Sequence, residues 1–188
     1  MLQTSKYHAT KTDLANELVQ VEDAKKNPAK FAVLYDKYYE QIFRFIYQRL
    51  DDKEQAFDAT QQVFVKALEN LHKYEFRGVP FASWLYRIAS SEVNNLFRSQ
   101  KAQRTVNIDS VSIYGIIEEI QESKIEEYHD KIVAIIAENL EEDELQLIEM
   151  RFFEKRSFKE MGEILEITEN NAKVKTYRIL DKLKKIIK

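Results

Sequence analysis

Asn170, Asn171, Lys173, Lys175, Tyr177 and Arg178 crowd into one short stretch near the end of the chain. On a helix such residues offer amides that pair with base edges and cations that hold phosphates or read guanine. A second group lies earlier. Phe76, Phe81, Trp84 and Tyr86 are side chains of the kind that stack on unpaired bases, with Arg87, Arg98, Lys101 and Arg104 nearby to meet phosphates. Trp84 sits in a strongly apolar pattern, where a core position is the stronger reading. Other chemistries find no residues to carry them. There is no cysteine, which excludes disulfides, thiolate zinc sites and a cysteine nucleophile and suits a reducing cytoplasm. His8, His72 and His129 stand apart, without the spacing of metal ligands. No glycine-rich loop is built to cradle a phosphate. The acids of residues 141–144 read as the charged first turn of a helix rather than as an acid–base pair. No catalytic residue, metal or cofactor is expected.

The elements that hold these groups are helices. Only 3 Gly and 2 Pro in 188 residues leave too few turn residues for a hairpin-rich sheet. With 44% hydrophobic and 32% charged residues the chain suits a folded, soluble protein, and no stretch approaches the length of a membrane span. Phe31, Leu34, Tyr35, Tyr38, Ile42, Phe45, Ile46 and Leu50 recur at helical spacing. Asp51 and Asp52 break that pattern and can cap the next helix, whose apolar face is Thr60, Val63, Phe64, Ala67, Leu68 and Leu71. Residues 76–80, with Gly78 and Pro80, read as a loop. A third helix carries Phe81, Trp84, Leu85, Ile88, Ala89, Val93, Leu96 and Phe97 on one side. Periodicity weakens between residues 101 and 127 and returns near Ile132.

At the C-terminal end, Ser157 can cap a short helix, with Glu160 completing a capping box. A break at residues 166–168 follows, and Thr168 can cap a second helix that buries Ala172, Thr176, Ile179, Leu183 and Ile186. This is the layout of a helix-turn-helix; on spacing alone it is equally that of a plain helical hairpin with a wet basic face.

Charge is segregated. Residues 109–149 hold 13 acids against 2 bases, a net −11, while residues 150–188 carry +5 and residues 1–108 carry +3, within a total of −3. Two basic ends around an acidic middle suit a polyanion partner for the ends. The expected architecture is all-α with two helical domains: residues 1–103, an acidic linker at 104–130, and residues 131–188.

Two motifs, in order, carry a family resemblance. Residues 139–184 resemble region 4 of the sigma-70 family. Asp58, Gln61, Gln62, Phe64 and Ala67 resemble its core-polymerase-binding helix, and Phe76, Arg77, Gly78, Phe81 and the run from Trp84 to Ala89 resemble its promoter-melting segment. With regions 2 and 4 alone, the chain resembles the extracytoplasmic-function sigma factors. The resemblance implies a cytoplasmic, non-enzymatic transcription initiation factor whose partners are core RNA polymerase and promoter DNA. An anti-sigma protein often holds relatives of this group. It also implies roles for single residues. Asp58, Gln61, Gln62 and Val65 would meet the polymerase. Phe76, Arg77, Arg87, Ser91, Asn95 and Arg98 would meet minus-ten DNA. Arg151, Asn170, Asn171, Lys173, Lys175, Tyr177 and Arg178 would meet minus-35 DNA. The sequence departs from the family at Ser91, usually Asn; at Glu166, often Gly; and at Asn170 and Asn171, usually Gly-Thr. A free-standing helix-turn-helix regulator is the alternative, and an anti-sigma-like adaptor a more distant one.

Overall fold

The computed structural model describes residues 10–99, 116, 135–136 and 138–187, which fall in two compact units, Met1–Asn107 and Ile108–Lys188. Among the described residues there is no strand, and no helix is long and apolar enough to cross a membrane.

The first unit starts with a helix that the periodicity did not announce. In α1 (Lys11–Lys26) the Thr10 hydroxyl accepts the Asp13 amide at 3.1 Å and the Asp13 carboxylate accepts the Thr10 amide at 2.9 Å. Its buried side is only Glu17, Val21 and Ala24, too narrow and too polar to stand out as an apolar stripe. A 3₁₀ turn at Pro28–Phe31 leads into α2 (Ala32–Leu50). The Asp51-Asp52 break works as its residue types suggest. Asp51 takes a left-handed φ of 50°, and Asp52 accepts the Gln55 amide at 2.9 Å to start α3 (Lys53–Asn70). After a second 3₁₀ turn at Leu71–Lys73, a loop with Gly78 at φ 71° delivers α4 (Phe81–Arg98).

Helices α2, α3 and α4 close over Leu34, Ile42, Phe45, Ile46, Val63, Phe64, Leu85 and Ala89, all buried. Phe81 and Tyr86 belong to this core, with 0% and 3% of their surface exposed, so neither is a platform for a base. Phe81 packs on Tyr38 and Tyr74, and Tyr86 meets Phe45 edge to face at 4.9 Å. Leu68, expected on the apolar face of α3, is 40% exposed instead.

In the second unit, helical residues at 135–136 and 138–139 precede α5 (Glu142–Ile148) and a π-helical turn at Glu149–Phe153. Then follow α6 (Phe158–Leu165) and α7 (Glu169–Ile187). Ser157 and Glu160 form the expected capping box, and the Thr168 hydroxyl accepts the Asn171 amide at 3.1 Å. Leu145, Ile148, Met161, Ile164, Ala172, Thr176, Ile179 and Leu183 make the core. Leu180 joins them, whereas Ile186, expected to be buried, is exposed near the end of α7. The Lys182 ammonium, 2.6 Å from the Glu144 carboxylate, ties α7 to α5. The acidic linker lies outside the described residues apart from Ile116, which is helical and buried; His8, Lys101, Arg104 and His129 lie outside them too.

Candidate protein and nucleic-acid interfaces

On α3 the buried side is Ala56, Ala59, Thr60, Val63, Phe64 and Ala67. Helical phase then turns Asp58, Gln62 and Val65 outward, and all three are exposed. Gln61 is half-buried, and its amide donates to the Tyr35 hydroxyl at 3.2 Å, so it also braces α3 against α2. Of the apolar part of this surface, sequence reasoning named Val65 and left out Phe57 and Leu68. Phe57 is 50% exposed and Leu68 and Val65 lie nearby at 40% and 48%, an oily strip threaded with Asp58 and Gln62. Apolar and aromatic contacts with a polar surround are the composition of a protein-docking surface.

Alongside runs a groove of about 570 Å³ lined by Tyr39, Phe43, Lys53, Glu54, Phe57 and Asp58. Its aromatic wall belongs to a ladder at spacing four on α2. Tyr35 and Tyr39 are 5.2 Å apart between ring centroids, Tyr39 and Phe43 6.2 Å, and Phe43 and Tyr47 5.9 Å. Burial, with Tyr35 close by, pushes the Tyr39 hydroxyl above its ordinary pKa. The spacing of four is visible in the sequence, yet of these four rings only Tyr35 belongs to the apolar pattern read there.

In α4, Arg87, Ser91, Asn95 and Arg98 fall on one side by helical phase. Ser91, Asn95 and Arg98 are exposed and Arg87 is half-buried. The Arg98 guanidinium donates to the Asn95 side-chain oxygen at 2.7 Å, which orients that amide. In the loop before α4, Phe76 and Arg77 are exposed. Trp84 is half-buried, with its ring 5.4 Å from both Tyr74 and Phe81, a packed position rather than a free platform. A second groove, about 550 Å³, lies between α3 and α4 and is lined by Gln55, Asp58, Ala59, Gln62, Glu92, Asn95, Leu96 and Ser99. It joins Asp58 and Gln62 to Asn95, residues that sequence reasoning gave to different partners. Lys66, bonded to Glu92 at 2.6 Å, links the two helices.

In the second unit, α6 and α7 form a helix-turn-helix. The Ile167 amide bonds to the Gly162 carbonyl at 2.9 Å, and Glu166 closes α6 at φ 56°. A side chain at Gly162 would have its first carbon 2.8 Å from the Ile167 carbonyl oxygen, so this turn needs glycine there. With Ala172, Thr176, Ile179 and Leu183 buried, the opposite side of α7 presents Asn170, Asn171, Val174, Tyr177 and Arg178, all exposed. Lys173 and Lys175, also exposed, flank that side by about 100° each way at 3.6 residues per turn. Val174, which sequence reasoning missed, sits at the centre of the face, where an apolar group can meet a thymine methyl. Arg151 lies elsewhere: its guanidinium is 4.6 Å from the Phe158 ring centroid and donates to the Arg156 carbonyl at 3.0 Å. Phe158 in turn lies 6.1 Å from Tyr177, the two rings tilted by 45°, so Arg151 is linked to the exposed face through both rings.

Comparison with known proteins covers both units. The family model described as Sigma-70 region 2 matches residues 34–103, and that described as Sigma-70, region 4 matches residues 137–185. The chain is 26% identical over 181 residues to the ECF RNA polymerase sigma factor BldN of Streptomyces coelicolor, covering 95% of this chain and 69% of that protein. It is 26% identical over 162 residues to SigX of Bacillus subtilis, another ECF RNA polymerase sigma factor, covering 82% of each. It is 29% identical over 160 residues to the RNA polymerase sigma factor YlaC of Bacillus subtilis, covering 81% of this chain and 88% of that protein. In fold it is similar to CnrH, solved in complex with the cytosolic domain of CnrY, with a TM-score of 0.57 at 17% identity over 92% of this chain and 97% of that one.

Proposed function

Because the chain belongs to the sigma-70 family, in its extracytoplasmic-function group, we propose that it docks on core RNA polymerase through the outer side of α3 and touches promoter DNA at two places, α4 with its preceding loop and α7. It is a transcription initiation factor that binds core polymerase and directs it to promoters. In this reading it catalyses no reaction itself and works in the cytoplasm, and a domain of residues 1–103 and one of 131–188 flank an acidic linker at 104–130. An anti-sigma protein is a further partner on the strength of the family group. A free-standing helix-turn-helix regulator is not favoured, since it has no use for the region 2 segment at residues 34–103.

The observation that carries the docking assignment is the phase of α3. The same turns that bury Thr60, Val63 and Phe64 leave Phe57, Asp58, Gln62, Val65 and Leu68 facing out. The oily residues supply the burial that drives association, and Asp58 and Gln62 fix its register through hydrogen bonds. For the DNA sites the argument is charge and type: Arg87, Ser91, Asn95 and Arg98 on one helix, and amides, a valine and cations on another.

The test is a pull-down with core polymerase and the Asp58→Ala/Gln62→Ala variant, its fold checked by circular dichroism. Weakening of core binding by about ten-fold or more is expected, the scale of a lost hot spot. Undiminished binding by the folded variant overturns the α3 assignment. Gln61 is a poorer choice for this test, because Gln61→Ala also removes the brace to Tyr35.

A further inference from the structure

The loop between Tyr74 and Phe81 is held at both ends by one face of α1. At its entry, the Lys25 ammonium donates to the Tyr74 carbonyl at 2.9 Å, is itself paired with Glu22 at 2.8 Å, and lies 5.8 Å from the centre of the Tyr74 ring. At its exit, the buried Glu17 carboxylate accepts the backbone amide of Phe81 across 64 residues of sequence. That amide is the first orphan donor of α4. The residue before it, Pro80, has no side-chain oxygen to offer, and α4 has no side-chain cap of its own. Glu17 therefore caps α4 from another helix, placing negative charge at the positive end of the helix dipole. Its other oxygen is held by Lys37 of α2 at 2.8 Å, which balances the buried charge.

Glu17, Val21 and Lys25 recur at spacing four, so they share a face of α1. The two anchor points are about 12 Å apart along the helix axis, while seven residues of chain could stretch to about 24 Å. The loop is thus closed at its base and bows outward. Val79 is buried beneath it, and Phe76 and Arg77 are at its exposed crest.

We infer that α1 is a positioning element for promoter DNA: Lys25 and Glu17 set the conformation in which the loop presents Phe76 and Arg77 to unpaired minus-ten bases, without touching DNA or polymerase themselves. The inference rests on the assignment of that loop to minus-ten DNA. A cation on a carbonyl at one end and a carboxylate on an amide at the other match the backbone's own polarity.

The test uses the full chain assembled with core polymerase, on promoter DNA carrying a fluorescent base analogue that reports strand opening. Five proteins are compared: wild type, Lys25→Met, Phe76→Ala, the double variant, and Lys25→Arg as a conservative control. Methionine keeps the length and the apolar stem of Lys25 and removes the ammonium that holds the Tyr74 carbonyl and pairs with Glu22, and the thermal midpoint checks that the fold is kept. Opening by Lys25→Met is expected to fall roughly five-fold with core binding and thermal midpoint unchanged, and Lys25→Arg to restore it. The double variant should open no more slowly than Phe76→Ala alone, because a clamp has nothing to position once its reader is gone. Additive losses, or undiminished opening by Lys25→Met beside a defective Phe76→Ala, overturn the inference and leave the loop assignment standing. Normal opening by Phe76→Ala overturns the loop assignment, and the inference with it.

Discussion

Viewed down its axis, α7 has Val174 at the centre of its open side, Asn170, Tyr177 and Arg178 around it, and Lys173 and Lys175 at the two edges. A helix lying in a major groove brings its central residues to the bases and its edges to the two phosphate walls. By this placement Arg178 belongs with the base readers, and Lys173 with Lys175 among the phosphate holders. Arg178→Ala should cost about 1–3 kcal/mol at one position of the upstream promoter element and relax selectivity there. Lys173→Ala and Lys175→Ala should each weaken all promoters alike and lower the slope of log affinity against log salt by about one. Both are measured with polymerase-bound protein on promoters altered one base at a time. In α4, Ser91 offers a short hydroxyl where the family resemblance implies an amide, beside an Asn95 already oriented by Arg98. Ser91→Asn should change the preference at one minus-ten position and leave core binding intact; a uniform shift across all promoter variants would show that Ser91 reads no base.

At the scale of elements, the turn between α6 and α7 depends on close approach rather than on sealing residues. Gly162→Ala pushes a methyl against backbone at Ile167 and Glu169, so the turn must open. The expected result is a loss of about 1–3 kcal/mol in the stability of the second unit, read by thermal melting, together with weaker promoter binding. Glu166→Gly acts in the opposite direction, since glycine takes the left-handed conformation of Glu166 without strain, and about 0.5–1 kcal/mol of stabilisation is expected. The tie between α5 and α7 is pH-dependent. Burial raises the pKa of Glu144, but hydrogen bonds from Lys182 and the Glu141 amide, with the charge of Lys182, outweigh it and hold the carboxyl below its ordinary value. A depressed carboxylate pKa contributes stability that is present above the unfolded value, about 4.3, and is lost as the pH falls through the folded one. Melting of the protein between pH 7 and pH 3 should therefore show this loss, and Lys182→Met should reduce it; identical pH profiles for the two proteins would remove the tie from the account.

For the whole molecule, charge divides the work. The two basic ends carry the DNA-reading groups, and residues 109–149 hold a net −11 between them. Like charge repels the duplex, so the acidic middle discourages binding at random sites. Replacing Glu118, Glu119 and Glu122 by glutamine should raise affinity for promoterless DNA at low salt and lower the ratio of specific to non-specific transcription; unchanged non-specific binding would remove the linker from DNA discrimination. Much of the architecture was legible in the sequence for a local reason. The Asp52, Ser157 and Thr168 caps are each set within a turn of chain, and the apolar periods of α2, α3, α4 and α7 within a single helix. What only the tertiary structure decided are contacts that join distant residues. Helical period fixes which side chains share a face, but not which neighbour covers that face. So Phe81 and Tyr86 entered the core while Phe76 stayed outside, Leu68 emerged beside Asp58, and Gln61 turned to Tyr35. For the same reason α1, nearly silent as an apolar pattern, took its place through Glu17, whose partner amide lies 64 residues away.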